Sequence, residues 1–256
     1  MPIIQAVDRA LQILDLFDEY ETELKITDIS ERMQLHKSTI HSLLKTLQVR
    51  GYIEQNPENG KYKLGLKLFE RGNLVINGLD LRTTARKHLM ELSFKTGQTV
   101  HLVILDGKEG VYIDKVEGSS GIIAYSRIGR RVPIHSSAVG KALVAFSPAA
   151  DIERILDGYV FGKRTENTIL NREDFLRELE QVRRQEYAID DQENEPGVRC
   201  VAVPIRNYSG QAVAAISIST PISGLDDEQF DQLLALLQET AQQISRQMGF
   251  GLHTRR

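Results

Sequence analysis

The sequence predicts an α+β protein in two parts. The first is a helix-turn-helix with a β-hairpin wing, and the second an antiparallel sheet flanked by helices. Three observations carry this reading. Ile40, Leu43, Leu44 and Leu47 recur at i, i+3, i+4 and i+7, one stripe of a helix, and a second short helical pattern ends only three residues before that helix opens. The strand signals Tyr52–Gln55 and Lys61–Leu64 flank Asn56-Pro-Glu-Asn-Gly60, a strong turn. Beyond residue 97, strand-like runs come in pairs around short turns, with amphipathic helices between them.

The 256 residues have room for one large or two moderate domains, and 41% hydrophobic with 26% charged residues is ordinary for a chain with a packed core. No apolar run approaches the roughly 18 residues of a membrane span. The opening Met-Pro-Ile-Ile-Gln-Ala-Val-Asp lacks the basic start and apolar block of a signal peptide. A single cysteine, Cys200, excludes an internal disulfide framework and fits a reducing cytoplasm. Net charge is −3, but it is unevenly spread. Residues 1–31 carry two Lys/Arg against eight Asp/Glu, a net of −6, whereas residues 32–71 carry eight against three, a net of +5.

In chain order, Ile3–Tyr20 reads as a helix with Ile4, Val7, Leu11, Leu14 and Phe17 (and Ala10) on its inner face. Ile26–Met33 is a short helix with Thr27 as its N-cap and acids in its first turn. Only Gln34, Leu35 and His36 separate it from the next helix, which is the helix-turn-helix arrangement. That third helix ends at Gly51, a natural C-terminal cap. Away from its apolar stripe it carries Lys37, Ser38, Thr39, His41, Ser42 and Lys45, and no carboxylate. Such a face suits the floor of a DNA major groove, where base edges lie between two rows of phosphates. The hairpin after it is a wing, with Lys61 and Lys63 at its tip to meet phosphate or minor groove. Read without the helix pair, the same lysines are solvated edge-strand residues.

Ile26-Thr-Asp-Ile-Ser-Glu-Arg, Lys37-Ser-Thr-Ile-His-Ser-Leu-Leu, Gly51-Tyr-Ile-Glu-Gln and Lys61-Tyr-Lys-Leu-Gly-Leu-Lys-Leu resemble the N-terminal domain of the IclR family of bacterial transcription regulators. The resemblance runs on past Gly72 over almost the whole chain. It implies a winged helix-turn-helix DNA-binding domain (1–72), linker helices (73–97) and a C-terminal effector-binding and oligomerisation domain (98–256) of GAF/PAS-like form.

The second part fits that plan. Gly65–Gly78 reads as helical and is followed by a break. Leu79–Thr96 is an amphipathic helix with Leu81, Ala85, Leu89 and Leu92 on one face. It is either a linker that transmits movement or a plain packing helix. Gln98–Asp106 and Glu109–Glu117 are strands around Asp106-Gly107, and Gly121–Val132 is a third. Helices follow at Ser136–Phe146, Asp151–Leu156 and Arg172–Glu186. Tyr187–Glu193 leads into a hairpin of Cys200–Ile205 and Ala212–Thr220, and Asp226–Met248 closes the chain as a helix with Phe230, Leu233, Leu234, Leu237, Ala241 and Ile244 inward.

Cys200, His135 and Asp190 can be drawn as a nucleophilic set, but Cys200 lies in an apolar strand-like run, where cysteine is usually inert. The sequence shows no phosphate-binding loop and no paired-cysteine metal site, and its six histidines lack ligand spacing. No cofactor or metal is expected. A binding pocket suits the residues better. Ser136 and Ser137 precede a helix, so the free amides near Ala138, Val139 and Gly140 would hold a small carboxylate, or the serines only cap the helix. Ser217 and Ser219 share one strand face, turned to a cavity or to solvent.

The stretches Ile128–Ala142 and Tyr187–Pro204 resemble the two signatures of the IclR effector domain. By that resemblance the effector carboxylate meets the amides of Ala138 and Val139, and Asp190, Cys200, Ser217 and Ser219 complete the pocket. Ser137 stands where members often have Thr. Taken together, the expectation is a homodimeric or homotetrameric regulator of double-stranded operator DNA, with no membrane association. It would repress a catabolic operon and respond to a keto acid or sugar acid. The rival readings are a cysteine-dependent hydrolase with an accessory DNA-binding domain, and a DNA-binding module whose second domain only oligomerises.

Overall fold

The computed structural model describes residues 3–18, 20–77, 80–119, 126–222 and 227–251, with the side chains of 75–77, 80 and 227 left aside. It divides into two compact units, Met1–Gly78 and Leu79–Arg256.

The first unit contains α1 (Gln5–Asp15), α2 (Ile26–Met33), α3 (Lys37–Val49), the two-stranded sheet β1 (Ile53–Gln55) and β2 (Tyr62–Leu64), and α4 (Leu66–Asn77). Its core gathers Ile13, Phe17, Leu24, Ile29, Ile40, Leu44, Leu47, Ile53 and Tyr62. The turn from α2 to α3 is fixed locally. Gln34 takes the left-handed conformation (φ 52°), Leu35 N donates to Ser30 O at 3.1 Å, and Ser30 Oγ donates to Leu35 O at 2.6 Å. At the end of α3, Gly51 (φ +75°) lets Tyr52 N reach Leu47 O at 2.9 Å and its own amide reach Gln48 O at 3.0 Å, a Schellman cap. β2 also exchanges backbone bonds with Leu24, which precedes α2, so the wing is tied to the helix pair.

Two local expectations are corrected. α1 ends at Asp15, and it buries Ile13, with Ala10 and Leu14 packed alongside, while Ile4, Val7 and Leu11 stay 70%, 54% and 56% exposed. The helix carries two apolar stripes, and periodicity alone does not say which faces the core. α2 starts one residue before the expected cap. Lys25 is the N-cap, Lys25 N donates to Asp28 Oδ2 at 3.3 Å, and Thr27 only hydrogen-bonds Asp28 Oδ1 at 3.0 Å.

The second unit opens with α5 (Asp80–Thr96) and builds one antiparallel sheet from β3 (Thr99–Asp106), β4 (Glu109–Val116), β5 (Arg131–Pro133), β6 (Ala188–Asp191), β7 (Val198–Arg206) and β8 (Ala212–Pro221), in the order β5-β4-β3-β8-β7-β6. Of the strand expected at 121–132, residues 121–125 lie outside the described residues and only Arg131–Pro133 is a strand. Side chains alternate across a strand, so the sheet has two faces. Val100, Leu102, Val201, Val203, Ile216 and Ile218 pack with α5 and α9 (Asp227–Gln247). Val103, Tyr112, Cys200, Ala202 and Ala215 pack with α6 (Ala138–Ala145), α7 (Ala149–Leu156) and α8 (Arg172–Gln185). The expected face of α5, Leu81, Ala85, Leu89 and Leu92, is buried within this unit, and Arg86 Nη1 adds an ion pair of 2.5 Å to the fully buried Asp114 of β4.

α6 is buried along its whole length. Lys141, 1% exposed, bonds Glu178 Oε1 of α8 at 2.9 Å and Glu193 Oε1, just beyond β6, at 2.6 Å. Burial pushes the Glu193 carboxyl up, against the pull of Lys141. Removing one member of such a pair strands the other. Lys141→Met is therefore expected to cost about 3 kcal/mol in urea unfolding, and a second change, Glu193→Gln, to return at least half of it.

Candidate functional site

The exposed surface of α3 is the candidate site of the first unit. Ser38, His41, Ser42 and Lys45, at i, i+3, i+4 and i+7, all lie exposed opposite Ile40, Leu44 and Leu47. Lys37 is exposed beside them and Thr39 is half-buried. The hydroxyl of Ser42 donates to Ser38 O at 3.1 Å, which leaves its lone pairs outward. The wing differs from expectation. Gln55↔Tyr62 is its last register pair, so the tip is Pro57-Glu-Asn-Gly60, Lys61 is half-buried at the loop exit, and Lys63 stands mid-strand facing Glu54, Nζ to Oε2 3.5 Å. Glu23 accepts from Asn56 Nδ2 at 3.0 Å and Asn59 Nδ2 at 2.8 Å and braces the tip. Those two bonds, with Lys61 and Lys63 adding to them, hold its carboxyl below the usual range.

The candidate site of the second unit is the α6-side face of the large sheet. The register places Asp190 beside Cys200, Cys200 beside Ser219, and Ser217 beside His101. All five are buried. Cys200 Sγ lies 3.0 Å from Ser219 Oγ. His101 Nε2 lies 2.7 Å from Ser126 Oγ, and its Nδ1 is 3.4 and 3.5 Å from the hydroxyls of Ser217 and Ser219. Asp190 Oδ1 accepts from the amides of Glu193 (2.7 Å) and Asn194 (3.2 Å), and Ser136 Oγ, in the turn before α6, donates to Asn194 Oδ1 at 3.3 Å. The start of α6 is thus linked to Asp190 and the row behind it.

Ser137 caps α6, accepting from Gly140 N at 3.2 Å and donating to Pro133 O at 2.5 Å. The Gly140 amide is thereby occupied. The amides of Ala138 and Val139 find no backbone or side-chain acceptor among the described residues, so the capping and anion-binding readings of this turn are compatible. Gly140 also allows the close approach, since a Cβ there would fall 2.4 Å from Ile134 Cα.

Burial is the first cause of each large pKa shift. It pushes Asp190 up to about 7, drives His101 down to about 3 with help from Lys115, and raises the Tyr112 phenol. His135 belongs elsewhere, bonded to Tyr159 Oη at 2.7 Å and to Gly162 O at 2.9 Å. Cys200, His135 and Asp190 therefore have separate partners, and the structure does not assemble them as a nucleophilic set. Sequence reasoning missed His101, Ser126, Tyr112 and Asn194. His101 alternates with Val100 and Leu102 along β3, but nothing local says that its neighbour is Ser217. Among the described residues no group of three His, Cys, Asp or Glu could hold a metal ion, and no helix is long and apolar enough to cross a membrane.

Comparison with known proteins bears on both units. Residues 6–57 match the IclR helix-turn-helix domain, and residues 73–246 match the C-terminal domain of the bacterial transcriptional regulator IclR. The chain belongs to the IclR family. The HTH-type transcriptional regulator XynR of Escherichia coli is 55% identical over 250 residues, covering 98% of this chain and 99% of that protein. The regulator KdgR of the same organism is 39% identical over 247 residues, covering 96% and 94%. The crystal structure of Thermotoga maritima IclR matches with a TM-score of 0.79 at 35% identity, covering 97% of this chain and 100% of that one. These IclR-family relatives are transcriptional regulators, and this chain is a metabolite-responsive DNA-binding regulator rather than an enzyme.

The buried Asp190 gives a pH test. Its folded pKa lies above the unfolded value of 3.8, so the folded state holds the extra proton and stability falls as pH rises from about 4 to about 7. His101 works the other way, because its depressed pKa makes stability rise with pH between about 3 and 6.5. The wild-type profile blends the two. Asp190→Asn removes the first, so urea unfolding at pH 8 relative to pH 5 is expected to shift in favour of the variant by on the order of 3 kcal/mol compared with wild type.

Proposed function

We propose that this IclR-type protein binds operator DNA as a homodimer or homotetramer in the cytoplasm and represses a catabolic operon until a small carboxylate, a keto acid or sugar acid, occupies its second unit. The observation that carries the reading is the pairing of a carboxylate-free exposed face on α3 with a buried polar row behind α6. A domain that only oligomerised would have no use for buried Asp190, His101, Ser217 and Ser219, since burying polar groups costs stability unless they serve a partner.

In this reading residues 1–72 bind DNA, 73–97 link, and 98–256 sense. Ser38, Thr39, His41 and Ser42 meet bases or nearby phosphates. Lys37, Lys45, Lys61 and Lys63 meet phosphates, Lys63 after loosening from Glu54. Two copies set half-sites about 34 Å apart or a multiple of that. The effector carboxylate takes the amides of Ala138 and Val139 at the positive end of α6, and Asp190, Cys200, Ser217 and Ser219 bind the rest.

Transmission follows from the bonds around Ser126. His101 holds its hydroxyl, Lys115 Nζ donates to its carbonyl at 2.8 Å, and the carbonyl of Lys115 accepts from Arg86 of α5 at 3.2 Å. α5 follows the joint between the two units. An effector that draws on His101 thus pulls on the first helix of its own unit, and it shifts DNA binding by its differential affinity for the two arrangements.

Lys45→Ala should weaken binding to all DNA sequences and reduce the slope of log K against log salt by about 1; an unchanged slope would remove Lys45 from the phosphate contacts. Changing Ser217 and Ser219 together to Ala should abolish the metabolite response and leave operator affinity as it was. Normal calorimetric titration of the effector into that variant would refute the pocket.

A further inference from the structure

We propose that Asp114 of β4 is a positioning residue for regulated DNA binding: α5 has two seats on this buried carboxylate, one held by Arg86 and one by Arg82, and operator affinity depends on which seat is filled. The inference stands on the DNA-binding role of the chain and not on the identity of its effector.

The first ground is an incomplete ion pair. Asp114 is fully buried, and Arg82 and Arg86 reach it from one face of α5, one turn apart. Its Oδ1 has two donors, Arg86 Nη1 at 2.5 Å and the amide of Lys115 at 2.8 Å. Its Oδ2 is buried with no hydrogen-bond partner among the described residues. So is Arg82 Nε, although the two atoms are only 3.7 Å apart. Two buried groups that could satisfy each other and stop just short are unusual in a native fold. Closing the gap to a hydrogen bond takes less than about 1 Å, the scale of the helix shifts that carry regulation. A buried carboxylate must keep a cation, so Arg82 takes over as Arg86 loosens. The strand is shaped to aim the carboxylate at α5. The β3–β4 register shifts between Leu102, which pairs with Asp114, and Val103, which pairs with Tyr112. Such a bulge re-aims a side chain, and here both Ile113 and Asp114 are buried toward α5.

The second ground is that the two seats are tied to different things. Arg86 Nη1 also donates to the carbonyl of Lys115 at 3.2 Å, and Lys115 Nζ donates to Ser126 O at 2.8 Å. The Arg86 seat therefore shares Lys115 with the polar groups of the sheet. Arg82 meets Asp114 alone in this cluster. A pull on Ser126 or Lys115 changes the Arg86 seat and leaves the Arg82 seat as it was, which is the unequal response a two-state element needs. α5 is the first helix after the first unit, so a change of seat moves the chain where it enters the second.

The test measures the affinity of the full chain for a DNA duplex that the wild type has selected from a random pool, with no small acid added. Arg82→Gln leaves only the Arg86 seat and Arg86→Gln only the Arg82 seat, and each keeps one cation on Asp114. The two variants are expected to shift affinity in opposite directions, each by about threefold or more. In Arg86→Gln the Nε–H proton of Arg82 should also move downfield in a proton–nitrogen correlation spectrum as it takes the carboxylate. A purely structural pair would lower thermal stability in both variants and move affinity the same way or not at all. Any pattern other than opposite signs, or an unmoved Arg82 signal, overturns the proposal and leaves the operator and effector readings standing. Should Arg86→Gln fail to fold by circular dichroism, Arg86→Lys, which keeps the charge with a shorter reach, decides the matter by the same two readouts. A wild type that selects no duplex overturns the operator reading itself, and this inference with it.

Discussion

The ion pair between Lys141 and Glu193, 2.6 Å long with the lysine 1% exposed, is the contact on which the second unit is hung. A charged group so deep must be paired, because desolvating it alone costs several kcal/mol. That requirement docks α6 against the segment after β6 and shapes the segment so that the amides of Glu193 and Asn194 turn to Asp190. Asn194 in turn meets Ser136, which leads back into α6. The ring from Lys141 through Glu193, Asp190, Asn194 and Ser136 to α6 ties the helix start to Asp190. Glu178 anchors the same lysine to α8 and holds the ring from outside.

The first unit solves a different problem. α3 keeps its polar face exposed, and it is gripped from behind and at both ends. Ile40, Leu44 and Leu47 do the first. The left-handed Gln34 and the Gly51 cap do the second, and each directs the chain sharply away from the helix axis. Gly65 completes the packing at the far end: a Cβ there would fall 2.2 Å from Gly51 O, and its amide donates to Tyr52 O at 2.8 Å. The wing therefore leaves and returns at one point beneath α3. Glu23 and Leu24 brace it from the chain before α2, so its position follows from the same small core.

Much of this was legible in the residues. Leu81, Ala85, Leu89 and Leu92 lie where helical spacing put them, and the paired strands around Asp106-Gly107, like those expected at Cys200–Ile205 and Ala212–Thr220, are hairpins in the structure. The misses share a cause. Two apolar stripes on α1 compete, and only the position of α3 selects Ile13. Thr27 reads as a cap because of its type, yet Asp28 reaches back to Lys25 N and the helix begins earlier. Lys61 reads as a tip residue until the register shows where the hairpin closes.

By itself the sequence determined what is local. The period of its apolar residues, the Gly and Asn-Gly turns and the charge step at residue 32 were enough for the helix pair, the wing and the α+β second unit, because each depends on residues a few positions apart. Tertiary structure alone decided which buried polar groups meet. Cys200, Ser217 and Ser219 follow Asp190 by 10 to 29 positions and His101 precedes them all by about a hundred, and they become neighbours only through the order β4-β3-β8-β7-β6. Strand alternation told that Ser217 and Ser219 share a face. It could not tell that the face lies under α6, or that a histidine from β3 stands beside them, because strand order is set by the packing of the whole sheet between its two helical layers.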